Sequence, residues 1–333
     1  MKPLVSAVIP NFNGEKTIGK TIQSIYDQKI DGVEIIVVDD MSADNSVSII
    51  RKNFPKVRIV ECKEKKYAAG ARNIGIAHAS GDYILFIDND AYVDKGCVKI
   101  MLEEVKRQDI AYPKIIFENN AIFHPKTERQ KKYITISACF MMKSNSLKKL
   151  YKMFGEFFDE TYQIYWEDTE FFLRCRLCGL NAKYVADARV IHILKHASFS
   201  SRELFFFLCT RNAIYSYVKY SSIKKLSFKD NGQYDFIGIS NITRYLFKMF
   251  LVNTLLNYSG LERFSSKIKN NTLKDKVNLF FRHDKITNKT QLYLLYLFFR
   301  AIFWNIKNLN TVSKKKFLLE QSINKYNVQL IGR

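Results

Sequence analysis

YILFIDND, residues 83–90, is a run of five apolar or aromatic residues that ends in two carboxylates flanking one amide. An unbroken apolar run of that length reads as a strand buried on both faces, which requires a helix layer above and below it. Working outward, the neighbouring segments repeat the pattern. Residues 5–9 and 33–38 are β-branched runs, ended by Pro10 and by Asp39-Asp40, and residues 57–62 form a further strand. Helical stretches lie between them: residues 15–28 with Ile18, Ile22 and Ile25 on one face, residues 46–53, the alanine-rich residues 67–79, and residues 94–107 with Asp94 as the expected N-cap. The fold class is α/β, a mostly parallel Rossmann-like sheet flanked by helices.

Three of these strands stop at polar clusters: Asn11 to Asn13, Asp39-Asp40 and Asp88 to Asp90. Ligands of open parallel sheets bind outside the carboxyl ends of the strands, so the three clusters belong to one edge. Further along, residues 110–117 and 134–142 read as strands around a basic loop at 126–132. Residues 165–179 form a helix with an acidic start, and residues 182–186 and 190–193 are two short strands. Beyond about residue 220 the pattern is helical, aromatic and basic. This gives a front domain, 1–220, and a mainly helical C-terminal region, 221–333.

Composition bounds the partners. The net charge is +21, and residues 221–333 hold 20 Lys and Arg against 6 Asp and Glu, which is +14 of it. A basic tail fits an anionic partner such as nucleic acid, anionic lipid or a phosphorylated carrier, and equally a solvated lysine-rich surface. The six cysteines are scattered. Cys175 and Cys178 form the only close pair, without a second pair or a His cluster, so free thiols in a reducing cytoplasm are expected. The N-terminal apolar run is too short for a signal peptide, and no stretch approaches a membrane span.

The chemistry follows from residue types. Asp88 and Asp90 at a strand end can converge on Mg²⁺ or Mn²⁺ together with substrate phosphates. Asp40 can accept hydrogen bonds from a ribose or a base, or can cap the next helix. Arg72, in YAAGARN at 67–73, can meet a base or phosphate from a tightly packed helix start, although the motif is not the glycine fingerprint of dinucleotide-binding oxidoreductases. In WEDTE, 166–170, acids favour a helix N-terminus, and Asp168 also suits a catalytic base at a pocket edge. Arg174 can pair with acids or face solvent. His192 and His196 are ordinary structural histidines unless a metal recruits them.

Together these pieces resemble the family-2 glycosyltransferases of the GT-A fold. The matching stretches are VSAVIPNFNGEKTIGKTIQSI, IIVVDDMSADNS, AAGARNIGIAHASGDYILFIDND, YWEDTEFFLRCRLCG, VIHILKHAS and TRNAIYSYVK, in the family's order across about residues 3–220. The resemblance implies that Pro10 and Phe12 surround a nucleotide base, with Glu15 contributing nearby. It implies that Asp40 contacts base or ribose, that Arg72 faces base or phosphate, and that Asp88 and Asp90 hold metal and diphosphate. Asp168 is then the base, and His192 approaches the metal. The implied reaction is inverting transfer of a sugar from a nucleotide-diphosphate donor to a saccharide or lipid-linked saccharide hydroxyl, in cell-surface polysaccharide or glycan synthesis.

Residues 244–258 and 291–307 are apolar, aromatic and edged with cations. They suit either an anionic membrane surface, with the protein peripheral on the inner face of the membrane, or packing on protein. Two other classes compete. A nucleotidyltransferase would want a Gly-rich phosphate loop with a lysine, which Asn11-Phe12-Asn13-Gly14 lacks. A nucleic-acid-binding protein would have to tolerate the acidic strand edge, so no nucleic-acid partner is expected.

Overall fold

Apolar strands with no polar face can be stable only between two layers, and this chain builds both. In the computed structural model residues 2–117, 122–123, 137–193, 202–220, 229–230, 233–234 and 288–326 are described. The first strands are β1 (Val5–Asn11), β2 (Val33–Asp39), β3 (Arg58–Glu61) and β4 (Tyr83–Ile87). They pair in parallel in the order β3-β2-β1-β4. Successive residues of β1 and β4 point to opposite faces, and both faces are buried. Val5, Ala7, Ile9, Leu85 and Ile87 meet Ile18, Ile22 and Ile25 of α1 (Ile18–Tyr26) and Met101 and Val105 of α4 (Cys97–Arg107). Val8, Ile84 and Phe86 join a second cluster with Leu147 and Leu150 of α5 (Ser144–Phe154) and Phe171 and Phe172 of α6 (Glu167–Leu177). Each such side chain contributes about 1.5–3 kcal/mol relative to exposure.

Beyond β4 the sheet becomes mixed. β8 (Cys139–Lys143) runs antiparallel to β4, and β6 (Ile110–Phe117) antiparallel to β8. β9 (Ala182–His192) lies parallel to β6, and β5 (Ala91–Val93) closes the edge antiparallel to β9. The two-residue strand β7 (Ile122–Phe123) pairs with β6. Two further helices cover the parallel half: α2 (Ser46–Asn53) and α3 (Tyr67–His78).

Three readings change. The strands expected at 182–186 and 190–193 are one strand, β9, because residues 186–188 bulge out between its two paired segments while Ala188 stays in the core. Helix α4 is capped by Gly96 (φ 78°), not Asp94, since the turn before Cys97 needs a left-handed residue. Asp94 pairs instead with Arg189 at 2.9 Å. Helix α5 was not anticipated. The basic loop at 126–132, His196, the apolar segment at 244–258 and the boundary residue Ser221 lie outside the described residues.

The chain divides into two compact units, Met1–Ser200 with Ser322–Val328, and Ser201–Gln321 with Gln329–Arg333. Within the second, α7 (Arg202–Tyr220) packs on α8 (Asn288–Lys307), followed by α9 (Leu309–Lys325). The Arg211 guanidinium lies 4.6 Å from the Trp304 ring centre, and the Asn305 amide donates to the Arg211 carbonyl at 3.1 Å. Among the described residues no helix is long and apolar enough to cross a membrane.

Candidate active site at the strand tips

The parallel strands deliver their polar ends to one edge, and side-chain hydrogen bonds tie those ends together. The Asn11 amide donates to Asp39 Oδ1 at 2.7 Å and to Ser46 Oγ at 3.0 Å. Asn89, the middle residue of the Asp88-Asn89-Asp90 turn, donates to Asn11 Oδ1 at 2.9 Å. The tips of β1, β2 and β4 are thus linked through one buried asparagine. Gly14 lies against this clasp: a Cβ there would sit 2.3 Å from Asn11 Oδ1 and 2.6 Å from Asn89 Nδ2, so no larger residue fits without moving it. Asn11 and Gly14 stood in the sequence as a polar loop, with no sign of this role.

On the β1–β2 side, Phe12 is half-buried just past β1, with Pro10 one turn of the pleat before it. The Lys65 ammonium sits over the Phe12 ring and pairs with the Asp40 carboxylate at 3.1 Å. Asp40 is buried, and its carboxylate accepts the backbone N–H groups of Lys66 (2.5 Å) and Tyr67 (2.8 Å). It therefore caps α3. Exposed Glu15 accepts from the Asn45 amide at 3.0 Å and bridges the loops after β1 and β2.

On the β4 side, Asp88, Asp90 and His192 gather. Each offers one ligand atom, and these atoms all lie within 4.8 Å of one another. His192 reaches Asp90 because β5 and β9 pair Ala91 with His192. Its Nε2 is 3.0 Å from Asp90 Oδ1, and its buried Nδ1 has no hydrogen-bond partner. Burial pushes the Asp90 carboxyl up, against the pull of His192. Burial disfavours a charged His192 ring, but the hydrogen bond to Asp90 and the charges of Asp90 and Asp88 outweigh it and raise its pKa. The two carboxylate oxygens suit Mg²⁺ or Mn²⁺, and the imidazole nitrogen is the softer donor, which Mn²⁺ accepts more readily than Mg²⁺, so the donor set fits the cation that the sequence suggests.

Arg72 joins this cluster to α6. It is buried, with Nη2 donating to Asp88 Oδ1 at 2.8 Å and Nη1 to Glu167 Oε1 at 2.9 Å. Asp168 follows Glu167 and is partly exposed. Its carboxylate accepts the N–H of Thr169 at 2.7 Å and of Ser137 at 3.2 Å. Burial raises the pKa of Asp168, with Arg72 opposing, and burial together with the Asp168 charge raises that of Glu167. The approach to α6 is strained: Gln163, Tyr165 and Trp166 have φ of 64°, 66° and 72°. Non-glycine residues there cost of order 1–3 kcal/mol each, a feature that clusters at functional sites. Asn73 of α3 holds this segment by donating to the Phe158 carbonyl and accepting its N–H, both at 2.9 Å.

The fold and the front half of the sequence have counterparts among known proteins. Residues 6–167 match the family described as Glycosyl transferase family 2. Over these residues the chain is similar to that family. It is 34% identical over 112 residues to the glycosyltransferase GlyG of Streptococcus pneumoniae, covering 33% of this chain and 37% of that one. It is 36% identical over 110 residues to WfgD of Escherichia coli, a UDP-Glc:alpha-D-GlcNAc-diphosphoundecaprenol beta-1,3-glucosyltransferase, covering 33% and 44%. The matched stretch thus spans under half the length of these curated relatives. In fold the chain resembles residues 1–349 of TarS from S. aureus, with TM-score 0.52, 18% identity, and coverage of 98% of this chain and 92% of that one. TarS has also been solved with UDP and with UDP-GlcNAc. The family-2 match ends at Glu167, so Asp168 and His192 lie just past it. The α/β architecture expected from the resemblance, of the GT-A type, is the one observed.

Proposed function

We propose that this chain transfers a sugar, with inversion, from a nucleoside-diphosphate donor to a hydroxyl of a saccharide or lipid-linked saccharide during cell-surface glycan synthesis. One observation carries the reading. A single buried guanidinium, Arg72, touches both the strand-tip acid Asp88 and the helix that bears Asp168. An acid turn suited to a cation and a carboxylate suited to a base therefore face one space.

In this reading Phe12 and Pro10 flank the nucleotide base, with Glu15 beside them. Asp40 acts from the neighbouring tip, either directly or by holding Lys65 over Phe12. Asp88, Asp90 and His192 would hold a divalent cation, which would supply positive charge to offset that of the leaving diphosphate. Asp168 accepts the proton of the acceptor hydroxyl as that oxygen attacks the anomeric carbon. The C–O bond to the diphosphate breaks on the opposite face, and configuration inverts. A raised Asp168 pKa favours this step, because a base takes a proton best when its pKa approaches the working pH. A relative that uses UDP-Glc and a structural neighbour solved with UDP and UDP-GlcNAc make UDP-sugars the first donors to test.

Residues 1–220 would form the transferase domain and residues 221–333 the appended region. Helix α8 supports peripheral attachment to an anionic membrane. Phe299, Phe303 and Ile306 are exposed along it, and residues 288–319 hold six Lys or Arg and no Asp or Glu. Salt-sensitive flotation with anionic vesicles tests this part. A panel of nucleotide sugars, scored by metal-dependent hydrolysis and by thermal stabilisation, tests the activity itself. Hydrolysis of one donor, abolished by chelator, is expected. A panel with neither hydrolysis nor stabilisation would refute the reading.

A further inference from the structure

A guanidinium is a planar fork that favours two parallel hydrogen bonds to one carboxylate. Arg72 does not use it that way. Its two terminal nitrogens go to different acids, Nη2 to Asp88 Oδ1 (2.8 Å) and Nη1 to Glu167 Oε1 (2.9 Å), and these acids come from elements 79 residues apart in the chain. Among the described residues, Arg72 Nε and Glu167 Oε2 are buried without a hydrogen-bond partner. Asp88 Oδ2 makes no hydrogen bond among the described residues. The guanidinium also lies 5.5 Å from the centre of the Phe158 ring, which confines it on that side. Its orientation is therefore set by the two acids and this ring.

This arrangement has a consequence for Asp88. With Nη1 held by Glu167, Arg72 can occupy one Asp88 oxygen and leaves the other available. Without Glu167, Nη1 would lose its one hydrogen-bond partner among the described residues. The fork could then turn onto both oxygens of Asp88, the geometry it prefers, and compete with a cation for the carboxylate. We infer that Glu167 is a positioning residue: by splitting the Arg72 fork it keeps one Asp88 oxygen open to a divalent cation. This deepens the proposed function, because it rests on a cation binding at Asp88.

The test measures Mn²⁺ binding to the full chain directly, from the loss of the free-ion electron paramagnetic resonance signal, with no turnover involved. Glu167→Ala should weaken Mn²⁺ binding at least fivefold. Glu167→Gln keeps the Oε1 acceptor for Nη1 and should bind within twofold of the unaltered protein. A glutamine variant as weak as the alanine variant would overturn the proposal, since charge rather than position would then be responsible. Unaltered binding in Glu167→Ala would overturn it as well, and would leave the cation reading standing. Failure of the unaltered protein to bind Mn²⁺, alone or with UDP, would overturn both. A melting curve accompanies each variant. If Glu167→Ala does not fold, Glu167→Met takes its place, because it fills the same space without an acceptor for Nη1. Weaker Mn²⁺ binding in that variant supports the proposal, and unchanged binding overturns it.

Discussion

Helix α6 carries two buried glutamates, three residues apart, whose arginine partners are bound in opposite ways. Arg174 meets Glu170 from its own helix with two hydrogen bonds, Nε to Oε1 at 2.8 Å and Nη2 to Oε2 at 2.9 Å. Its remaining donors go to the carbonyls of Glu156 (3.1 Å) and Phe157 (2.5 Å). That pair follows the rule for a buried charge: paired, and hydrogen-bonded throughout. Arg72 meets Glu167 from another element, shares itself with Asp88, and leaves polar atoms unsatisfied. The same residue types therefore do two jobs. The satisfied pair secures α6 against the loop before it, and the unsatisfied one lies where the reaction is proposed to take place.

The largest effect that sharpens this contrast concerns the residue beside Glu167. Asp168→Asn should lower turnover by about 10²–10⁴-fold, the usual contribution of a positioned base. Donor binding, followed by calorimetry, should change little. Next comes stability. Arg174→Met strands Glu170 as a buried unpaired charge and should cost about 3–5 kcal/mol in urea denaturation. Arg72→Met should cost clearly less, because Asp88 is partly exposed and can be solvated, and Glu167, whose carboxyl burial and the Asp168 charge already push up to about 7, can take a proton once Arg72 is gone. Equal losses would break the comparison. A smaller effect is expected at Asp40, whose carboxylate caps α3: Asp40→Ala should cost about 1 kcal/mol by the same measurement.

The smallest effect lies at the opposite end of the sheet. Glu34 accepts hydrogen bonds from the Ser6 hydroxyl and from the Ser80 N–H and hydroxyl. Burial pushes its carboxyl up, but these bonds and Arg58 outweigh it and hold the pKa below the ordinary value of 4.5. A depressed carboxylate pKa stabilises the fold above that ordinary value and loses the contribution as pH falls through the folded pKa. The stability difference between the unaltered protein and Glu34→Gln should therefore be present at pH 6 and shrink below pH 4.5. A difference that grows with acid would contradict the assignment.

The parallel half of the fold was legible because residues 5–9, 33–38 and 83–87 have no polar face, so only a two-sided core accommodates them. The acids at their ends were legible for the same reason: a charge can sit at the end of such a strand, or near its half-buried start as Glu34 does, but not in its buried middle. What stayed hidden was tertiary. β5 has three residues, too few for any periodicity. β9 read as two strands because its bulge looks like a turn. The Arg72–Glu167 bridge spans 95 residues and has no local signature. The Asn11–Asn89 clasp likewise depends on two strand tips meeting. The capping role of Asp40 was one of two readings open from sequence, and backbone N–H groups of α3 occupy its carboxylate here.

The most direct measurement is a crystal structure of the full chain with Mn²⁺ and UDP. The account predicts the cation bound by Asp88, Asp90 and His192, the uracil beside Phe12, and the Asp168 carboxylate facing the diphosphate across the site. A nucleotide bound elsewhere, or a cation that leaves Asp88 and Asp90 untouched, would contradict it.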